Sequence, residues 1–362
     1  LRIPAGRPHD NVRRPTGEAD RVAIRLGKGI AMNSRRKFLA GSAAAIGSLA
    51  IVGRASAQAV KLRVGNVYPD SHSIPVATGR FKQLVEQKSG GKISCEVFNN
   101  SQLGSEREMA EMVRGGSLEM VLSGLPGTGA YVPEIEVMEA FYMYRNVEDL
   151  ARISAAIYGD LQDFMAPKGF HLLGMMYQGP RNTLSVKQLK TIDDFKGLRL
   201  RIPNTPLFVA MARAWGASPT AIALAEVYTS LDTGIIAAVE ATHETLVSSN
   251  FHEKAKFLLT TRHNFYPQPM VVNKAWYDKL PKDLQTAISD ASKEAGAYQL
   301  SIHKEADEKA IAALKAANVT ITELSDVTPF RKPLIDMNRD YFKAKGPKVQ
   351  AVFEKMLSMS SF

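Results

Sequence analysis

Two arginines, Arg181 and Arg201, lie near the ends of the segment GPRNTLSVKQLKTIDDFKGLRLRIPN, which is the part of the chain best suited to bind an anion. In LRLRIP, leucine and isoleucine alternate with Arg199 and Arg201, a pattern that predicts a strand with one apolar face. Pro203 then ends the strand, because proline has no N–H to donate. At the C-terminal edge of an α/β sheet, a guanidinium group can bind a carboxylate through two parallel hydrogen bonds. The alternative is that Arg199 and Arg201 are ordinary solvated charges.

Motifs that would indicate catalysis are absent from the sequence. There is no G-x-S-x-G, no H-E-x-x-H and no C-x-x-C. The pairs His243-Glu244 and His252-Glu253 each lack the second histidine at i+4 that a zinc-binding helix needs. The glycines of residues 124–129 lack the Lys-Ser or Lys-Thr of a phosphate-binding loop. The sequence therefore predicts no enzyme, cofactor or metal site, and an exported hydrolase is the less favoured alternative.

Strand and helix patterns alternate along the chain. The strand patterns LRVGNV, KISCEVF and LEMVLS are separated by apolar residues at helical spacing, and a second series begins near FHLLGMMY and runs through LRLRIP. This order predicts an α/β fold with mixed, largely parallel sheets flanked by helices. An apolar stripe from Asp283 to Ala317 predicts a long helix of about 50 Å. Cys95 is the single cysteine and is predicted to be a buried core residue.

The basic character of the chain is concentrated at its N-terminus. Residues 1–57 carry 11 Lys and Arg against 3 Asp and Glu, so +8 of the formal net charge of +10 lies there. The remaining charge of +2 gives no basis for a nucleic-acid-binding function. Residues 1–31 have no apolar periodicity, and we interpret them as upstream sequence that is not native to the exported protein.

An export leader is predicted at residues 32–57. It has a basic start with adjacent Arg35 and Arg36, an apolar middle, and small residues at its end. The apolar run is too short for a membrane-spanning helix, which needs about 20 apolar residues. The arginine pair resembles a twin-arginine signal, with the general secretory route as the alternative. Cleavage is expected near Ala57 or Ala59, which predicts a periplasmic protein.

The arginine-containing segment continues into GASPTAIALAEVYTSLDTG, and the two together resemble the substrate-binding proteins of tripartite ATP-independent periplasmic (TRAP) transporters, the DctP family. Other fragments follow in the family's order: LRVGNVYPDSHSIP, KSGGKISCEVFNNSQLGSEREMAEMVRGGSLEM and LPKDLQTAISDASKEAG. The resemblance implies the two-lobe periplasmic binding protein fold (type II-like), with the long helix bracing both lobes. It also implies an organic acid as ligand and integral membrane subunits of a TRAP transporter as partners.

The same resemblance implies the binding residues. Arg201 is the main anchor for the ligand carboxylate, Arg181 is its helper, and Asn204 orients the other end of the ligand. The remaining candidates are Glu106, Glu240, Leu224 and Tyr68. Some members of the family bind a cation near the position of Glu240, and whether a cation binds here stays open.

Departures from the family pattern bear on the ligand. Sialic-acid-binding members carry a glutamate where this chain has Gly124, and an asparagine where it has Ala241. Leu224 replaces an aromatic residue that often stacks on the ligand in those members. With fewer polar partners, the ligand is expected to be a simpler organic acid, with an apolar or aromatic body.

The chain is expected to cross between the lobes several times, since no long linker separates them. The resemblance implies that lobe I consists of residues 58–178 plus 267–306, and lobe II of residues 179–266 plus 307–362. Hinge closure around the ligand follows from this arrangement. The alternative function is a similar two-lobe ligand sensor for a signalling receptor.

Overall fold

One mixed sheet of nine strands organises the computed structural model, which describes residues 59–122 and 124–360. The expected leader at 32–57 and the segment 1–31 lie outside the described residues. The strands are β1 (Val60–Gly65), β2 (Ile93–Phe98), β3 (Met120–Leu122), β4 (Phe170–Ser185), β5 (Arg199–Ile202), β6 (Ser218–Ala221), β7 (Ala238–Thr242), β8 (Phe257–Asn273) and β9 (Thr320–Thr322).

Helices flank this sheet. They are α1 (Ser73–Lys88), α2 (Glu106–Gly115), α3 (Leu125–Thr128), α4 (Val147–Ala156), α5 (Tyr158–Met165), α6 (Pro206–Ala214), α7 (Val227–Asp232), α8 (His243–Ser248), α9 (Lys274–Asp278), α10 (Lys282–Ala316), α11 (Thr328–Ala344) and α12 (Pro347–Met359). None of the helices in the described part of the chain is both long and apolar enough to cross a membrane.

The strand order is β2-β1-β3-β8-β4-β7-β5-β6, and β9 pairs with β8. Strand β1 is parallel to β2 and β3, strand β5 is parallel to β6 and β7, and β8 is parallel to β9. The prediction of a mixed, largely parallel sheet is confirmed. The segment FHLLGMMY does not begin a second parallel series, however, because it is the first half of β4, which pairs antiparallel with both β7 and β8.

Strands β4 and β8 are much longer than their neighbours and pair along most of their length. Gln178 and Tyr266 are register partners near the middle of this pair, and the register is irregular between Gln178 and Pro180. Proline has no N–H for the ladder, so an irregularity at this point follows from the sequence GPRN. The irregularity divides β4 into two halves. The first half pairs with the part of β8 that also pairs with β3, and the second half pairs with β7.

Helix α10 runs beside β4 and contacts the alternate strand residues Leu173, Met175 and Tyr177. Ser292 donates from its hydroxyl to the Leu173 carbonyl, and the Gln299 side chain makes two hydrogen bonds to the Tyr177 backbone. A Cβ on Gly296 would lie 2.6 Å from the carbonyl oxygen of Met175. Two strand residues and one helical turn each advance by about 6 Å, which allows the contacts to repeat. The predicted long helix is confirmed, and it is continuous through Gly296.

The buried apolar residues of the described part of the chain form two cores. The larger core includes Cys95, which is fully buried as predicted. The smaller core lies around β7, α7 and α8 and contains Leu184, Leu231 and Leu246 among others. Between these cores, the sheet carries polar and charged side chains that are almost completely buried, and these form the candidate site.

Candidate functional site

Arg181 and Arg201 lie on the two strands that flank β7. Arg181 in β4 pairs with Thr242 of β7, and Arg201 in β5 pairs with Val239 of the same strand. Each arginine is only 4% exposed. Because buried charges are costly unless they are paired, the partners of each guanidinium group indicate its role.

Arg181 already has a carboxylate partner within the protein. Its Nε lies 2.5 Å from Oε2 of Glu240, and a terminal nitrogen lies 2.7 Å from Oε1. His263 Nε2 lies 3.2 Å from the same Oε2. Burial alone would raise the pKa of Glu240, but the charge of Arg181 and the hydrogen bonds from His263 and Arg181 outweigh it, so the pKa is lowered. Glu240 is therefore ionised and fully buried behind Arg181.

Aromatic rings complete the surroundings of Arg181. Its guanidinium carbon lies 4.3 Å from the centre of the Tyr266 ring and 5.3 Å from that of Phe208. These contacts, together with Glu240, hold the guanidinium plane in one orientation. Arg181 is thus a fixed and neutralised component of the site.

Arg201 has a different environment. Its Nε and one terminal nitrogen donate to the carbonyl oxygen of Ile222, at 3.1 and 2.8 Å. Among the described residues, no carboxylate forms an ion pair with it. The pKa of Arg201 is lowered, chiefly by burial and also by the nearby charge of Arg181. An anion placed against this guanidinium would therefore pair with a charge that no carboxylate of the described residues contacts directly.

Arg199, two residues earlier in β5, is exposed. Its side chain donates to the carbonyl groups of Gly234 and Ile235 on the protein surface. Sequence alternation placed Arg199 and Arg201 on the same strand face, but only Arg201 is covered by neighbouring elements.

Two adjoining cavities lie beside Arg201. The outer cavity has a volume of about 570 Å³, and the inner cavity has a volume of about 20 Å³. Both are lined by Val67, Glu106, Arg201 and Leu224. The inner cavity also reaches Arg181, so the two guanidinium groups meet at this end.

The structure brings most of the sequence-predicted residues together at these cavities. Asn204, in the loop after β5, lines the outer cavity, and Tyr68 lines the inner one. Leu224 begins a short 3-10 helix and contacts both. Glu240 does not line either cavity in the described part of the chain, because it lies behind Arg181.

Glu106 is the first residue of α2, where a capping box between Ser105 and Glu108 fixes the helix start. Its Oε1 accepts a hydrogen bond from the Gly124 N–H at 2.7 Å. Burial raises the pKa of Glu106, although this N–H and the charges of Arg201 and Arg181 act in the opposite direction. Glu106 can accept hydrogen bonds from hydroxyl groups of a ligand and, when protonated, donate one.

Tyr266 is a site residue that the sequence interpretation missed. It lies in the middle of β8, is 3% exposed, and lines the inner cavity beside Arg181. An aromatic residue inside a strand is normally read as core, so the sequence carries no signal for this position. The outer cavity is also lined by polar residues that were not predicted, namely Ser101, Ser105, Arg107, Glu108, Glu111 and Glu226.

A polar network joins α1 to α8 near the inner cavity. Glu244 accepts hydrogen bonds from the backbone N–H and the hydroxyl of Ser73 at the start of α1. His72 is the N-cap of that helix, and its Nδ1 accepts from the Ile74 N–H at 3.1 Å. Burial lowers the pKa of His72 to about 3, so the imidazole is neutral.

Metal-binding groups of three or more His, Cys, Asp or Glu side chains do not occur within residues 59–122 and 124–360. The carboxylate oxygens of Glu240, the one residue considered for a cation, are bound by Arg181 and His263. These contacts leave Glu240 better suited to orient Arg181 than to bind a cation.

Residues 64–344 match the family of bacterial extracellular solute-binding proteins, family 7 (DctP). The chain belongs to this family. Its similarity to the 2,3-diketo-L-gulonate-binding periplasmic protein YiaO of Escherichia coli is 31% identity over 305 residues, which is 84% of this chain and 93% of that protein.

Solved structures agree with this assignment. A TRAP periplasmic solute binding protein from Roseobacter denitrificans with bound β-D-glucuronate has a TM-score of 0.79 at 28% identity, covering 82% of this chain and 99% of that one. One from Actinobacillus succinogenes with bound L-galactonate has a TM-score of 0.78 at 28% identity, covering 83% and 99%.

These comparisons confirm the predicted family and the predicted α/β two-lobe binding protein fold. The chain is a TRAP-type solute-binding protein, and its relatives are solute-binding proteins rather than enzymes.

Proposed function

We propose that this protein captures a hydroxylated organic acid in the periplasm and delivers it to the membrane subunits of a TRAP transporter. The observation that carries the proposal is the buried guanidinium group of Arg201, which lines a cavity of about 570 Å³ and has no carboxylate partner among the described residues. A ligand carboxylate would pair with it, as Arg guanidinium groups do in water-poor sites.

Each candidate residue has a distinct role in this proposal. Arg201 anchors the carboxylate, and Arg181, held by Glu240, adds positive charge at the inner end. Asn204 and Glu106 bond to hydroxyl groups of the ligand body, and Leu224 packs on its apolar face. Tyr68 closes the inner cavity, and Glu240 acts through Arg181 rather than on the ligand.

We infer a more polar ligand body than the sequence alone predicts. An apolar or aromatic body was predicted from Gly124 and Ala241, but charged and hydroxyl side chains line much of the outer cavity. Relatives with bound sugar acids, glucuronate and galactonate, support a polyhydroxylated acid of about six carbons as the ligand class. Polar groups placed around a cavity fix the orientation of such a ligand.

The remaining expectations extend this proposal. The lobes consist of residues 58–178 plus 267–306 and 179–266 plus 307–362, and they close around the acid by hinge motion. The protein is exported with cleavage near Ala57 or Ala59, and it performs no catalysis on its ligand. Periplasmic relatives support this location.

A thermal-shift screen of the mature protein tests the proposal. The panel contains D-glucuronate, D-galacturonate, L-galactonate, 2,3-diketo-L-gulonate and succinate, with D-glucose as a neutral control of the same ring size. A ligand at 100 times its dissociation constant adds about 2.7 kcal/mol of stability, which gives a measurable shift. Calorimetry then measures the affinity of each acid that shifts the melting temperature. Equal shifts with glucose, or none with any acid, would contradict carboxylate capture.

A further inference from the structure

Tyr266 in β8 and Gly124 at the start of α3 pack against each other at the inner end of the site. The hydroxyl end of the Tyr266 side chain packs against the Cα of Gly124, so a Cβ at position 124 would lie 2.2 Å from the Tyr266 hydroxyl oxygen and 2.7 Å from its Cζ. Carbon atoms in proteins do not approach so closely, and a side chain at 124 would displace the ring.

The backbone at position 124 does not itself require glycine. Gly124 has a φ of −59° and is the N-cap of α3, a conformation that any residue adopts. The requirement for glycine therefore comes from Tyr266 and not from backbone strain. The two residues form a complementary pair in which one provides the side chain and the other provides the space.

Both members of the pair are connected to the anion site. The Tyr266 ring lies over the guanidinium group of Arg181, 4.3 Å from its central carbon. The Gly124 N–H donates to Glu106 at 2.7 Å, and Glu106 lines both cavities. A shift of the tyrosine ring would thus move groups on both sides of the ligand carboxylate.

The volumes show where the ligand body has room. The inner cavity, bounded by Tyr266, Arg181, Arg201 and Tyr68, holds about 20 Å³, whereas the outer cavity holds about 570 Å³. A space of 20 Å³ accommodates little more than one water-sized group. A single carboxylate oxygen can occupy this space, whereas a bulkier group that points toward Tyr266 does not fit.

We propose that Tyr266, in the space that Gly124 leaves, is a specificity-determining residue that selects acids whose carboxylate is carried by a carbon with a hydrogen atom. This inference rests on the proposed function. D-Glucuronate belongs to the accepted class, because its carboxylate projects from a ring CH group. D-Quinate, a hydroxylated six-membered ring acid of similar size, carries its carboxylate on a fully substituted carbon and is rejected.

Calorimetry with these two acids tests the selectivity. Wild-type protein binds glucuronate and discriminates against quinate. Tyr266→Leu opens the inner end and changes the ratio of the two affinities toward quinate by about tenfold or more, the effect expected when a small group is accommodated in a pocket. Tyr266→Phe keeps the ring and preserves the wild-type ratio to within about threefold.

A second comparison tests the pairing of the two residues. Gly124→Ala in the presence of Tyr266 lowers the melting temperature of the ligand-free protein and weakens glucuronate binding by about tenfold. In the Tyr266→Leu background, Gly124→Ala has little effect on the melting temperature or on glucuronate binding, because leucine does not fill the space beside position 124. The melting temperatures in this double-mutant cycle are measured without any ligand.

The outcomes separate the two proposals. If wild-type protein binds glucuronate but Tyr266→Leu leaves the affinity ratio unchanged, the selectivity role of Tyr266 is wrong and the proposed function stands. If Gly124→Ala is harmless in the wild-type background, the complementary pair is wrong. If wild-type protein binds no acid on the panel, the proposed function and the selectivity are both wrong. The melting temperatures of the ligand-free single and double variants still decide whether Tyr266 and a side chain at position 124 compete for space.

Discussion

Arg181 and Glu240 are diagonal neighbours on β4 and β7, and they form a buried ion pair in which the Nε to Oε2 distance is 2.5 Å. Arg201, on the other side of β7, has no equivalent partner among the described residues. The site therefore contains one arginine whose charge is neutralised by the protein and one whose charge remains for a ligand.

Glu240→Gln is expected to reduce the free energy of unfolding by about 3–5 kcal/mol, because it leaves Arg181 charged and buried without its partner. Urea unfolding at pH 7 measures the change. The pKa of Glu240 is lowered in the folded protein, so its contribution is present above the ordinary carboxyl pKa and is lost as the pH falls through the folded pKa. The difference between variant and wild type should therefore shrink in acid.

The matched control for this prediction is Glu323→Gln. Glu323 pairs with Arg262 at the surface, where both side chains are more than half exposed. Its loss is expected to change the stability by less than about 1 kcal/mol. Equal effects of the two substitutions would show that the buried pair has no special role.

Arg201→Lys is expected to weaken binding of the cognate acid by about ten- to a hundredfold, since lysine cannot make the planar two-point contact worth about 1.5–3 kcal/mol. Arg199→Lys is the control, because Arg199 is exposed in the same strand and should have almost no effect. Arg181→Lys should give an intermediate loss. Calorimetry measures the affinities, with circular dichroism to verify folding. A larger loss for Arg199→Lys than for Arg201→Lys would refute the carboxylate anchor.

Stability should decline as the pH falls from about 6.5 toward 3, partly because of His72. Burial lowers its pKa to about 3, so the folded protein keeps the ring neutral while the unfolded chain binds a proton below pH 6.5. His72→Gln should reduce the slope of the unfolding free energy against pH by an amount that corresponds to about one bound proton. Urea unfolding between pH 8 and pH 4 measures the slopes, and the values at pH 8 isolate the loss of the helix cap. Parallel slopes in the two proteins would exclude this contribution.

Gly296→Ala should destabilise the protein although alanine favours helices, because its Cβ would lie 2.6 Å from the Met175 carbonyl oxygen. Gly79→Ala in α1 is the control, since no atom beyond the neighbouring backbone of its own helix lies within 4 Å of its Cβ position, and it should stabilise by about 0.5–1 kcal/mol. Thermal unfolding of the two variants should give shifts of opposite sign. A gain in stability at both positions would mean that α10 can move away from β4 at little cost.

N-Acetylneuraminate is expected to bind weakly or not at all. Gly124 and Ala241 offer no side-chain partners for its distal polar groups, and each unpaired buried polar group costs about 1–3 kcal/mol. Calorimetry against D-glucuronate makes the comparison directly. Sub-micromolar binding of the sialic acid would show that the positions of these two residues in the site have been misassigned.

Much of the fold was predictable from local patterns. Alternating residues identified β1, β2 and β5, and the stripe of apolar residues identified α10 to within a residue at each end. The path of β4 was not predictable in the same way. Its sequence contains Gly179 and Pro180, which locally favour a break, and only the long antiparallel partner β8 keeps the chain extended through them.

The site was predictable to a smaller extent, for a similar reason. Family resemblance named Arg181, Arg201 and Asn204, whose motifs are short and contiguous. The role of Glu240 depends on a strand-to-strand contact, and that of Tyr266 depends on its packing against Gly124. Such contacts join residues that are far apart in the chain, and no local pattern encodes them.

The pairing of β3 with β8 has a consequence for the order in which the protein can fold. Met120 and Val272 are register partners, although about 150 residues separate them in the chain. Strand β8 lies between β3 and β4, so the two halves of the sheet cannot join until the ribosome has made β8. Until then β3 has an unpaired apolar edge, and contacts of such long sequence separation form slowly. The two halves of the sheet therefore join late, after all the elements between β3 and β8 have been made.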